Sequence, residues 1–195
     1  MIRKRTSMIR KATPADAACV APLIYEAIGS IAHTLTGAVE ADEAIRVIEA
    51  FFRMERNRLS YENAVVAEVG GEPVGLALFY HGSRTEELDR PFVQRLARLT
   101  GIAPVIVKEA RSDEFYLDTL AVRADQRGKG IGRRLLARFE AEARARGHER
   151  IALLVDQENP QARKLYESIG YRPDGTLLVS GHLYDHMVKQ ISVLI

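Results

Sequence analysis

The chain has 195 residues, enough for one domain with a substantial core. Hydrophobic content of 47% and charged content of 28% are those of an ordinary globular protein, and a net charge of +2 gives no global pull toward nucleic acid or a membrane surface. The single cysteine, Cys19, excludes an intramolecular disulfide, and no run reaches the ~18–20 apolar residues of a membrane span.

The N-terminal stretch Met1–Lys11 is basic, but no apolar run follows it, which argues against a secretory signal. A cytoplasmic protein is the expectation. Met-Ile-Arg-Lys occurs at residue 1 and again at residue 8. Residues 1–7 are read as a disordered leader and 8–195 as a single domain. Met8–Lys11 reads as a short strand. Thr13-Pro14-Ala15-Asp16 is a helix start, with Thr13 as N-cap and Pro14 in the first turn. That helix runs to about Ser30 and makes Cys19 a small buried residue. A second helix covers about Ala41–Arg56, with Ala44, Ile45, Val47, Ile48, Phe51 and Phe52 on its apolar face.

Ala64–Val69 and Pro73–Tyr80 read as a hairpin turned at Gly70-Gly71. Residues 82–113 hold a short helix, about Arg90–Leu99, and then turn irregular around Gly101–Pro104. So long a connection suggests a lid or an oligomer contact. Phe115–Arg123 is a strand, Ile131–Arg146 an amphipathic helix ended by Gly147, and Arg150–Val155 a strand buried on both faces. Asn159-Pro160 opens a short helix closed by Gly170, and Tyr171–Val179 and Leu183–Ile191 form two final strands. An antiparallel hairpin in front and a β–α–β unit behind imply a mixed sheet with helices on both faces.

Residues 126–132, Gln-Arg-Gly-Lys-Gly-Ile-Gly, carry the most chemistry. Strand, glycine-rich turn and helix together build an anion site: glycines let backbone N–H groups converge, and the helix adds its positive end. The phosphate loop of nucleotide triphosphatases needs Lys-Ser/Thr after its glycines, which this chain lacks. A dinucleotide fingerprint needs different spacing and an acidic residue after the next strand, where Asp156 is the nearest candidate.

Arg127-Gly128-Lys129-Gly130-Ile131-Gly132 resembles the Arg/Gln-x-x-Gly-x-Gly/Ala signature of the GNAT superfamily of N-acetyltransferases. A second block, Asn159-Pro160-Gln161-Ala162 through Leu165-Tyr166 to Gly170-Tyr171, is similar to that family's later motif. Together the two blocks cover about Phe115–Pro173. The resemblance implies an α/β fold with a mixed, centrally splayed sheet of about seven strands. It implies acetyl-CoA as co-substrate and no metal. The pyrophosphate would lie on the backbone of Gly128, Lys129, Gly130, Ile131 and Gly132, with Arg127 and Lys129 adding charge. The pantetheine arm would follow the backbone of Leu120, Ala121 and Val122 and touch Asn159. Tyr166 would meet the thioester sulfur.

Thioester aminolysis needs a deprotonated amine, a donor for the oxyanion and a proton for the thiolate. Tyr166 is the candidate acid and Asp118 the candidate base, with a structural hydrogen-bonding role as the alternative for Asp118; Glu62 is a weaker base. Strand alternation would put Tyr116, Asp118 and Leu120 on one face. His182, Tyr184 and His186 alternate on the last strand as candidate acceptor-pocket lining, too far apart along a strand for an obvious metal site. The expected activity is acetyl transfer to a primary amine on a small molecule or a protein, with a homodimer as a further expectation. The alternative is a catalytically weak acyl-CoA-binding module acting as a sensor or interaction partner. Arginines between Arg123 and Arg146 interleave with Glu140 and Glu142 and lack aromatic platforms, which disfavours nucleic acid.

Overall fold

The computed structural model describes residues 7–192. The expected leader lies outside these residues except for Ser7, which is buried: the Arg134 guanidinium donates to its hydroxyl and its carbonyl. The elements are β1 (Met8–Lys11), α1 (Ala17–Ile28), α2 (Ser30–Thr36), α3 (Ala41–Arg53), β2 (Ala64–Val69), β3 (Glu72–His81) and α4 (Thr85–Thr100). They continue with β4 (Phe115–Val122), α5 (Ile131–Ala145), β5 (Arg150–Asp156), α6 (Pro160–Ser168), β6 (Arg172–Val179) and β7 (His182–Gln190).

Among the described residues, one seven-stranded sheet runs β1-β2-β3-β4-β5-β7-β6. Its pairs are antiparallel except β4 and β5. Alternation along β3 separates two cores: Ala77 and Phe79 face α5, while Leu76 and Leu78 face the α1–α3 layer. Phe139, Leu135 and Leu136 of α5 are at most 1% exposed against the first face, each such side chain contributing about 1.5–3 kcal/mol.

Three expectations change here. The first helix does not run unbroken to Ser30. Gly29, at φ 55° and ψ −126°, breaks it, and Ser30–Thr36 turns away at 114° from the segment Pro14–Ile28. That backbone region is essentially glycine-only, so the apolar pattern continues across a break it does not announce. No single helix among the described residues is long and apolar enough to cross a membrane. The helix expected at Arg90–Leu99 starts earlier, at Thr85, with Glu86 and Glu87 in its first turn, and carries Pro91 in its interior. Cys19 is exposed rather than buried.

The sheet also departs from simple alternation at one point on β4. Leu78 of β3 faces Thr119 and Phe79 faces Leu117, so Asp118 is the extra residue of a β-bulge. As a result Leu117 and Leu120 both pack on the α5 side, and Tyr116, Asp118 and Leu120 do not share a face. Just there the sheet opens. β4 and β5 pair only through Phe115–Ile151, Tyr116–Ala152 and Leu117–Leu153.

Candidate active site at the fork of the sheet

Beyond Leu117 the edge of β4 that faces β5 is left unpaired, although backbone N–H and C=O groups demand partners. A cavity of about 1060 Å³ fills the fork. Residues 118–122 of β4 and 154–156 of β5 form two walls, the 126–133 loop and helix start close one end, and α6 contributes Asn159, Ala162 and Tyr166. The first helices supply the cover through Glu26, Ala27 and Ile28.

The glycine loop is built as an anion cradle. Gly128 and Gly130 sit at φ 73° and 77°, and no heavy atom lies within 4 Å of where their Cβ atoms would stand. The first helical bond of α5 runs from the Arg134 amide to the Gly130 carbonyl at 3.2 Å, so the amides of 131–133 precede the helical ladder. The cap residue is a glycine and the first turn has no acidic side chain, which leaves the positive end of α5 directed at the cavity wall.

The cationic side chains sit differently from the sequence expectation. Lys129 folds back, its Nζ donating to the Asp125 carbonyl at 2.9 Å and to Gln126 at 3.0 Å, and its side chain does not line the cavity. Arg127 does line it, but its guanidinium donates to Glu26 at 2.6 Å and to the Val122 carbonyl at 2.9 Å. Arg133 lines the cavity too, at 3.2 Å from the Ser168 hydroxyl. The sequence reading missed Arg133; its place directly after Gly132 in the first turn of α5 was the available signal.

Leu120, Ala121, Val122, Ile131, Gly132, Asn159 and Tyr166 all line the cavity. Asn159 also caps α6, its side-chain oxygen accepting from the Ala162 amide at 3.0 Å. Tyr166 is 8% exposed, and burial alone pushes its hydroxyl up to about 12. Such a group keeps its proton near neutral pH and is available as a hydrogen-bond or proton donor.

Asp118 stands at the inner end of the cavity and is fully engaged. Its Oδ2 accepts from Arg58 at 2.6 and 3.0 Å and from the Tyr80 hydroxyl at 2.8 Å, and its Oδ1 accepts from Thr119 at 2.9 Å. Both carboxylate oxygens thus accept from protein donors, the hydrogen-bonding arrangement given as the alternative role for Asp118. Glu62 lies elsewhere, accepting from the Arg56 amide at 2.9 Å, and does not line the cavity.

Arg58 gathers a buried network that sequence spacing did not reveal. It donates to Glu109 at 2.8 Å and approaches Asp89 at 3.5 Å, while Tyr116 donates to Glu109 at 2.9 Å. Burial opposes the arginine's charge, yet Asp118 and Glu109 hold its pKa well above the usual value. Burial, aided by Asp118 and Glu109, pushes Asp89 up to about 6 against the pull of Arg58. A smaller cavity, about 70 Å³, lies against Arg58, Glu109, Tyr116 and Asp118.

On β7, His182 and Tyr184 line the large cavity, whereas His186 points to Glu114 at 3.0 Å. Among the described residues, two groups have candidate ligand atoms within 4.8 Å of one another: Glu114, Asp174 and His186, and Asp156, Glu158 and His182. In the first, Arg150 already donates to Glu114 at 3.1 Å and to Asp174 at 2.6 Å. Along the arginine-rich stretch, Arg123, Arg138, Arg144 and Arg146 are each paired with a carboxylate.

Known proteins agree with this architecture. The chain is 42% identical over 67 residues to mycothiol acetyltransferase of Beutenbergia cavernae, a match covering 34% of this chain and only 22% of that protein. It is 29% identical over 170 residues to the uncharacterized N-acetyltransferase YhfO of Bacillus subtilis, covering 85% of this chain and 90% of that one. A solved acetyltransferase structure superposes with a TM-score of 0.77 at 32% identity, covering 95% of this chain and all of the other. The sequence model of the acetyltransferase (GNAT) family matches residues 29–171. With the glycine loop, the forked β4–β5 pair and these likenesses in hand, the chain belongs to the GNAT acetyltransferase family.

Proposed function

We propose that the protein is an N-acetyltransferase that moves an acetyl group from acetyl-CoA to a primary amine. The observation that carries this reading is the continuity of one cleft. An anion cradle, an unpaired strand edge and the buried Tyr166 line the same cleft, and a small polar pocket adjoins it at Asp118 and Tyr184.

Each part has a task in that reaction. The amides of 128–133 and the N-terminus of α5 bind the pyrophosphate. The open edge of 118–122 pairs with the amides of the pantetheine arm, which holds the thioester near Tyr166. An ammonium acceptor first loses one proton to water in the cleft. Its nitrogen lone pair then forms the N–C bond, the C–S bond breaks, and the nitrogen sheds its second proton. Tyr166 supplies a proton to the leaving thiolate and regains one from solvent. The sum is ammonium plus acetyl-CoA giving amide, free CoA thiol and one released proton. Asp118 acts as a positioning residue, fixing Arg58 and the floor of the fork.

The test is to incubate the protein with acetyl-CoA and a panel of primary amines and follow free thiol. Amine-dependent release is the predicted result. Tight CoA binding with no release on any amine would favour the sensor reading instead.

A further inference from the structure

We propose that the cavity of about 70 Å³ beside Asp118 is the acceptor subsite, and that it takes the ammonium head of a short aliphatic amine with no carboxylate next to its nitrogen. This rests on the acetyl-transfer reading above. Position is the first support: the small cavity adjoins the donor cleft, and both are lined by Ala27, Ile28, Asp118, Leu154 and Tyr184. An amine seated there opens onto the donor cleft and lies away from the glycine loop, none of whose residues lines the small cavity.

Its walls give the chemistry of the occupant. Ile31, Leu35 and Leu59 make one side apolar, while Glu109, Asp118 and Tyr116 make the other polar. At about 70 Å³ against about 1060 Å³ for the cleft, the space takes the head group of the acceptor. The rest of the acceptor extends into the wider cleft.

Charge decides between acceptors. The guanidinium in the wall is not free to greet a carboxylate, because Arg58 directs Nε and Nη2 to Asp118 and Glu109, and Nη1 to Asp89. One guanidinium stands against three carboxyl groups, a formal excess of negative charge among side chains at most 9% exposed. Buried like charges are costly until a cation joins them. An ammonium does so, and an α-carboxylate adds to the excess.

The experiment uses the whole 195-residue chain saturated with CoA. Binding of n-propylamine is read by calorimetry, and initial rates with acetyl-CoA are compared for n-propylamine, alaninamide and alanine. The expected result is binding of propylamine and a kcat/KM for propylamine and alaninamide about tenfold or more above that for alanine, as like-charge opposition demands. Glu109→Gln is expected to raise the KM for propylamine about tenfold while CoA affinity stays unchanged. The wild-type comparison decides the matter even if that variant fails to fold. Alanine turned over as well as alaninamide would overturn the subsite and leave the transferase standing. Propylamine binding without turnover of any amine would support the subsite as a cation site and overturn the transferase reading.

Discussion

The Arg58 guanidinium donates twice to Oδ2 of Asp118, at 2.6 and 3.0 Å, and only 4% and 2% of the two side chains are exposed. The pair ties the segment before β2 to the bulge of β4, the point where the sheet forks. Arg58→Met would leave the surrounding carboxyl groups without their cation. The expected loss is about 3–5 kcal/mol of stability, read from urea unfolding. Replacing both partners, Arg58→Met with Asp118→Leu, should recover much of it, because an apolar pair leaves no buried charge. A single-variant loss below about 1 kcal/mol would mean the pair is no more than a surface-type bridge.

Tyr166 should matter to rate and little to coenzyme binding. Tyr166→Phe is expected to lower kcat by about 10²-fold, the lower range for one acid–base group, with CoA affinity unchanged. Because burial pushes this hydroxyl up to about 12, the wild-type rate should show no descending limb from its ionisation up to about pH 10. A variant with full kcat would remove Tyr166 from the mechanism.

At the glycine loop, charge and backbone strain can be separated. Asn and Asp tolerate the left-handed region about equally, and Gly130 at φ 77° has open space before it. Gly130→Asp should weaken CoA binding far more than Gly130→Asn, by about tenfold or more, since a carboxylate would face the pyrophosphate. Equal losses in the two variants would point to strain alone.

Asp89 predicts a pH dependence of stability. Burial raises its pKa from 3.8 to about 6 in the folded chain, so the folded protein holds a proton that the unfolded chain has released. The group therefore favours folding at low pH, and that contribution is lost as pH rises between about 4 and 6. Asp89→Asn removes the titration. The variant should equal the wild type near pH 4 and become more stable by at most about 3 kcal/mol above pH 6. Thermal melts across that range check it; a variant advantage that shrinks with rising pH would contradict the assignment.

The later half of the chain was readable because its signals are local. The glycines of 128–132, the Asn159-Pro160 helix start and the apolar run of β5 each announce their own conformation, and all lie where those patterns imply. The fork wall was harder. A one-residue bulge at Asp118 flips which side chains share a face, and period-two reasoning cannot see it. The break at Gly29 hid in a continuous apolar pattern, and the helix expected from Arg90 begins at Thr85 and carries Pro91 inside it. The Arg58 network joins residues up to 60 apart, brought together only by the fold, so no spacing marks it. Lys129 looked like a phosphate ligand by charge, but its stem turns back onto Asp125 and Gln126.

The most direct test of the central claim is to follow amine-dependent release of CoA thiol from acetyl-CoA by the wild-type protein, with the acetylated amine identified by mass. The account predicts thiol and acetylated n-propylamine in equal amounts, both abolished when the amine is omitted. CoA bound tightly by the protein with no acetylated product from propylamine or any other primary amine would contradict it.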